Sequence, residues 1–168
     1  GRFPPVDGRV RVVPPLGRGL EAVIGFTGHS LVATSLPPAA VLARGVDAFG
    51  GCFEPPFLCW LVGAGAFDSI DVTLVARGRG QGRLPRRVDL DDHPRVQRAL
   101  RLRSDVEVYG DERGLVTLST GLAGRRELSI ELPSEQQGRG LGRSLLHDAL
   151  GLVSRGEPVF AAVAPGNA

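Results

Sequence analysis

Between residues 127 and 153 the hydrophobic period changes from two to about 3.6 across one glycine-rich turn, and this change constrains the fold more than any other feature. Upstream of the turn, Leu128, Ile130 and Leu132 alternate with Glu127, Ser129 and Glu131, the pattern of a strand with one buried face. Downstream, Leu141, Leu145, Leu146, Ala149, Leu150 and Val153 fall on one side of an α-helix. The polar residues 133–137 and the run Gln137-Gly-Arg-Gly140-Leu-Gly142 connect the two. Gly156 ends the helix, and the apolar residues 158–164 then suit a buried strand beside the preceding one. The order is strand, glycine-rich turn, helix, strand.

A turn of this kind collects backbone N–H groups at the positive end of a helix dipole, which suits a phosphate or diphosphate. Gly138, Gly140 and Gly142 carry no side chain to keep an anion from the backbone. Arg139 and Arg143 can add charge-assisted hydrogen bonds, and Ser144 offers a hydroxyl in the first helical turn. The same glycines would also serve tight packing of helix on sheet. Spacing excludes two named phosphate motifs. A Walker loop needs four residues between its glycines and then Lys, whereas three separate Gly138 from Gly142 and Arg143 follows. The dinucleotide pattern fails at Arg143 or Leu145, depending on where it is started.

The hexapeptide, with Leu132 five positions before Gln137 and the helix and strand behind it, resembles the signature of the GNAT acetyltransferases over about the last 65 residues. The resemblance implies an α/β (α+β mixed sheet) fold of mostly antiparallel strands followed by the strand–turn–helix–strand unit, and acetyl-CoA as cofactor. It also implies that main-chain groups at Leu132 meet the pantetheine arm where two parallel strands splay apart. Gln137, Gly138, Arg139, Gly140, Leu141, Gly142, Arg143 and Ser144 would surround the diphosphate, and Asn167, the only Asn of the chain, would meet the cofactor arm. The reaction would be direct attack of an amine on the thioester, with an N–H near Leu132 stabilising the oxyanion and Glu127 or Glu131 as general base. Two exposed strand carboxylates is the plain alternative for those glutamates. A small-molecule amine or a protein amino group is the implied acceptor, and Glu107, Glu127 and Glu131 would favour a cationic one.

Members of that family continue past the Asn with a helix and two strands, the helix often bringing a Tyr that protonates the departing thiolate. Tyr109, the one Tyr here, lies in an earlier strand and does not match it. Either this chain is a piece, which its start at Gly1 favours, or a neighbouring subunit completes it as a homodimer, or it binds cofactor without efficient turnover. A non-catalytic acyl-CoA-binding or sensory module and a purely structural α/β domain are the competing classes.

Residues 88–168 form the expected core, and 1–87 an amino-terminal α/β lobe. In the core, Asp92 is placed to cap a helix with Pro94 in its first turn and Val96, Leu100 and Leu102 as its stripe. Residues 105–109, 115–120 and 127–132 then read as antiparallel strands. In the lobe, residues 10–13 and 29–35 read as strands, 20–26 as one or two helical turns, and 39–49 and 55–62 as helices opened by proline pairs. Residues 70–76 read as a strand, and 77–87 as a solvated loop with five arginines.

A chain of 168 residues, 42% hydrophobic and 23% charged, can bury one substantial core. All 20 basic residues are Arg, pointing to a GC-rich bacterial coding sequence. With a net charge of only +2 and no aromatics among those loop arginines, nucleic acid is not an expected partner. No run approaches the roughly 18 apolar residues of a membrane span, so a cytoplasmic protein is expected. Cys52 and Cys59 have no metal-ligand spacing and read as buried free thiols, and no metal is expected. His29 reads as a polar core residue and His147 as solvated; Phe49, Phe53, Phe57 and Trp60 read as one aromatic core cluster.

Overall fold

The computed structural model describes residues 3–16, 19–67 and 70–165, so Asn167 lies outside the described residues. The chain divides into two units, Gly1–Ser69 and Ile70–Ala168. Among the described residues they carry two mixed sheets and four α-helices, a mixed α+β architecture.

The first unit is built on β1 (Arg9–Val13), β2 (Ala22–Phe26) and β3 (His29–Ala33), in the order β1-β3-β2. β1 runs parallel to β3 and β2 antiparallel to it. Residues 20–26 are therefore largely strand where helical turns were expected. Val23, Ile24 and Phe26 favour the pleated surface, and Gly28, at φ 62°, allows the hairpin to close. Helix α1 (Pro38–Leu42) stops well short of the expected 39–49, because the chain leaves the helix and enters the left-handed region at Gly45, φ 68°. Helix α2 (Pro55–Val62) begins at its proline pair as expected. The core joins Val32, Val41, Cys52, Phe57 and Leu61, with Phe53 and Trp60 packed against it. Phe49 is 70% exposed and leaves the expected aromatic cluster, and Cys59 is exposed where a buried thiol was expected. Residue 59 follows the buried Phe57 and Leu58 and falls on the outer side of its helix.

The second unit contains β4 (Val72–Arg77), α3 (Pro94–Leu102), β5 (Ser104–Asp111), β6 (Gly114–Thr120), β7 (Arg126–Glu131), α4 (Leu141–Gly151) and β8 (Pro158–Val163). Its sheet has the order β4-β8-β7-β6-β5. The β5-β6-β7 portion is an antiparallel meander, β8 runs parallel to β7, and β4 pairs antiparallel with β8 along its whole length. The pairing with β8 places β4 in this unit, ahead of the boundary expected after Arg87. Helix α4 buries Leu145 and Ala149, and Val153 just past its end joins them, in one cluster with Val116, Leu118, Leu128 and Val159 of the sheet. The cap of α3 is His93 rather than Asp92: its Nδ1 accepts the Arg95 N–H at 3.2 Å. This helix buries Val96 and Ala99 and leaves Leu100 and Leu102 exposed, so its inner stripe is narrower than the sequence pattern implied.

Beyond Arg77, the last residue of β4, the arginine-rich segment to residue 87 keeps Arg79, Arg83 and Arg86 exposed, as a solvated loop would, but its backbone is docked. The N–H groups of Arg79, Gly80 and Gly82 donate to the carbonyls of Leu150, Val153 and Gly151, satisfying acceptors that the end of α4 leaves open. Leu84 enters the core, and further on Arg87 donates to Val108. The glycines are needed for contact: a Cβ on Gly82 would lie 2.4 Å from the Gly151 carbonyl carbon, and one on Gly151 would lie 2.7 Å from the Gly82 Cα. Such backbone-to-backbone approach is open only to glycine.

Candidate cofactor site

β7 delivers the chain to the glycine-rich turn, and α4 carries it away. Along β7 the pairing with β6 continues to Leu115↔Glu131, but the parallel register with β8 consists of the single pair Glu127↔Phe160. Beyond that pair the two strands no longer keep sheet register, so the last part of β7 lies next to a gap in the ladder.

Within the turn, residues 134–136 make one 3-10 turn, and the Gln137 side-chain amide donates to the Leu132 carbonyl at 3.2 Å, bracing the loop across its base. Gly138 and Gly140 both adopt left-handed backbone, φ 70° and 77°, and Gly140 is the N-cap of α4. A Cβ at either position would meet nothing within 4 Å. Packing therefore does not require these two glycines; the backbone conformation does. Gly142 differs, since a Cβ there would touch the Leu132 side chain at 3.6 Å, an ordinary contact that an alanine would also make. No side chain caps α4: the N–H groups of the half-buried Leu141 and Gly142 have no side-chain acceptor, and that of Arg143 donates to the Gly140 carbonyl at 3.2 Å.

Around this turn, Arg139 has only a 3.5 Å contact with Gln136 Oε1, and Arg143 is exposed and makes no ion pair among the described residues. Leu141 is half-buried. The Ser144 hydroxyl donates to the Leu141 carbonyl at 3.0 Å and accepts from Arg113 at 3.0 Å, so it is already engaged in its own helix and with the β5–β6 turn. Arg113, in the β5–β6 hairpin, also donates to Asp111 and to Asp148 of α4, at 2.6 and 2.7 Å. These hydrogen bonds hold both carboxyls below the usual carboxylate range and the guanidinium firmly protonated. Sequence reading missed Arg113, because Asp111, Ser144 and Asp148 converge on it only once the hairpin is laid beside the helix. A cleft of about 330 Å3 lies next to this network, lined by Arg79, Arg83, Arg113, His147 and Asp148 among others, and none of residues 137–144 lines it.

Neither candidate base is free. Glu127 is buried, its carboxylate held by Arg103 and Arg125 at 2.8 Å each and by the Leu122 N–H at 3.0 Å. It fills the space a side chain would need at Gly121, where a Cβ would lie 2.2 Å from its carboxyl carbon. Glu131 is more accessible, its side chain 40% exposed, and it pairs with Arg95 of α3. Glu107 is bound by Arg126 at 2.7 Å, which holds its carboxyl below the usual range, and it also accepts from the Tyr109 hydroxyl at 3.2 Å. Burial, with Glu107 beside it, pushes the Tyr109 phenol up. All three glutamates thus face an arginine, and the argument for a cationic acceptor loses its support.

In the first unit, His29 is buried with its Nδ1 in hydrogen-bond contact with Asp7 Oδ1 at 2.8 Å, a polar buried histidine without a nucleophile beside it in the described bonding. His147 is exposed, 3.5 Å from Asp148. Among the described residues no group of three His, Cys, Asp or Glu side chains is arranged to hold a metal, and no helix is long and apolar enough to cross a membrane. Comparison of the chain with models of known families, with curated proteins and with solved structures finds no match.

Proposed function

We propose that the turn 137–144 binds the diphosphate of an acyl-CoA, and that the protein transfers an acetyl group from acetyl-CoA to a primary amine in the manner of GNAT acetyltransferases. The observation that carries this reading is the pair of left-handed glycines, Gly138 and Gly140, with open space around them at an uncapped helix start. Glycines kept for conformation at an open, N–H-rich surface suit an anion that must approach the backbone closely. The single register pair between β7 and β8 supports the second half of the reading. An extended, amide-bearing pantetheine arm can lie in the gap as a substitute strand and hydrogen-bond main-chain groups near Leu132. The arm would bring the thioester beside β7, where a main-chain N–H can stabilise the oxyanion that forms as the amine attacks and before the thiolate leaves. Of the two glutamates, the more exposed Glu131 would be the one to accept the ammonium proton, once substrate displaces it from Arg95.

A second reading has its own support. The arginines that hold Glu127 and Glu131 leave neither carboxylate unpaired, which favours a module that binds acyl-CoA without turning it over. The two readings share the cofactor turn and part at catalysis. The shared part is tested by Gly140→Asp and Gly140→Asn, since Asn and Asp are the side chains best tolerated in left-handed backbone and carry the same strain. The Asp variant should bind CoA at least about tenfold more weakly than the Asn variant. Equal affinities would remove the turn from the site.

A further inference from the structure

Every residue of β4 except Ala76 is exposed, and Val72, Leu74 and Val75 are 54, 54 and 57% exposed. The strand lies at the edge of its sheet, and among the described residues it pairs only with β8, through an unbroken register from Val72↔Val163 to Arg77↔Pro158. Sheet edges are ordinarily protected by a charge, a proline or a bulge. Residues 72–76 have none of these, and they present apolar side chains to both faces.

The strand is also complementary to itself. Asp71 precedes it and Arg77 ends it. An antiparallel second copy centred on Leu74 sets Leu74 opposite Leu74, Thr73 opposite Val75 and Val72 opposite Ala76, and it sets Asp71 opposite Arg77 at both ends. A parallel copy in register would oppose like charges, and an antiparallel copy shifted by one residue would leave Asp71 and Arg77 facing neutral partners. Arg77 already donates one N–H to the Gly156 carbonyl, at 2.9 Å, which fixes the guanidinium at the strand end with further N–H groups to offer. We infer that β4 is a homodimerisation edge, at which two copies of this chain join their sheets through an antiparallel β4–β4 pair about a two-fold axis. The contact is isologous, and Val72, Leu74 and Ala76 of both copies form one apolar stripe on a single face.

The test joins crosslinking with charge reversal. In a Cys59→Ser background, which removes the exposed thiol, Leu74→Cys should form a disulfide-linked dimer under mild oxidation, while Val75→Cys, opposite Thr73, should not. In sedimentation, Asp71→Arg and Arg77→Asp should each weaken the dimer by at least about tenfold, and the double reversal should recover it. Circular dichroism verifies the fold of each variant, and the crosslinking readout does not depend on the charge variants. A wild-type chain that stays monomeric, a dimer indifferent to both single reversals, or crosslinking as fast at position 75 as at 74 would each overturn the proposal, including the case in which another segment or protein covers the edge.

Discussion

The glycines of the second unit answer to two different demands. Gly138 and Gly140 are fixed by backbone conformation, with nothing where a side chain would go, whereas Gly82 and Gly151 are fixed by contact between two main chains. A glycine count could not separate these cases, because the second kind is defined by a partner distant in sequence. The distinction is measurable by chemical denaturation. Gly138→Ala should cost about 1 kcal/mol, the strain of a left-handed alanine. Gly151→Ala should cost about 2–3 kcal/mol, because the loop must move off the helix. A Gly151→Ala protein as stable as the wild type would show that the close approach is not required. Glu127 gives the complementary case. Its alternation pattern placed it on the polar face of a strand, but the two arginines that claim it come from the end of α3 and from the turn before β7, and no spacing rule announced them. Glu127→Gln should lower stability by about 1–3 kcal/mol, with turnover of the folded protein changed by less than about threefold. A loss of roughly a hundredfold or more in turnover without loss of stability would make it a base after all.

At the level of elements, what was legible was what local pattern determines. The β5-β6-β7 meander, α2, α4 and β8 follow from alternation, helical period and turn residues, and the structure places them within a few residues of the reading. What was not legible depended on partners. β2 looked helical because Val, Ile and Phe in a five-residue run carry no decisive period, and its strand state comes from pairing with β3. The loop 77–87 looked solvated because its glycines and arginines have no period, and its docking is backbone-to-backbone. The Asp111–Arg113–Asp148 network that ties the hairpin to α4 makes an acid-stability prediction. Both carboxyls have folded values below the ordinary 3.8, so their contribution is complete above about pH 4 and lost as pH falls through the depressed values. Arg113→Gln should lower stability at neutral pH by about 1 kcal/mol, allowing for the partial exposure of Asp148, and flatten the decline as pH falls below about 4. An acid limb with the wild-type slope in that variant would mean that other carboxylates set it.

At the scale of the whole molecule, each unit has its own core, and the features on which the proposed cofactor binding rests all lie in the second: the single register pair between β7 and β8, the left-handed Gly138 and Gly140, and an α4 without a side-chain cap, with Arg139 and Arg143 close by. The proposed acyl-CoA binding depends on this turn receiving a diphosphate. Calorimetric titration of the chain with CoA and acetyl-CoA tests it most directly. One-to-one binding in the micromolar range, near −8 kcal/mol, is the predicted result, and it should weaken sharply in Gly140→Asp. A folded sample that gives no binding heat across a wide temperature range, and gains no thermal stability from either ligand, would contradict it and return the turn to a purely structural role.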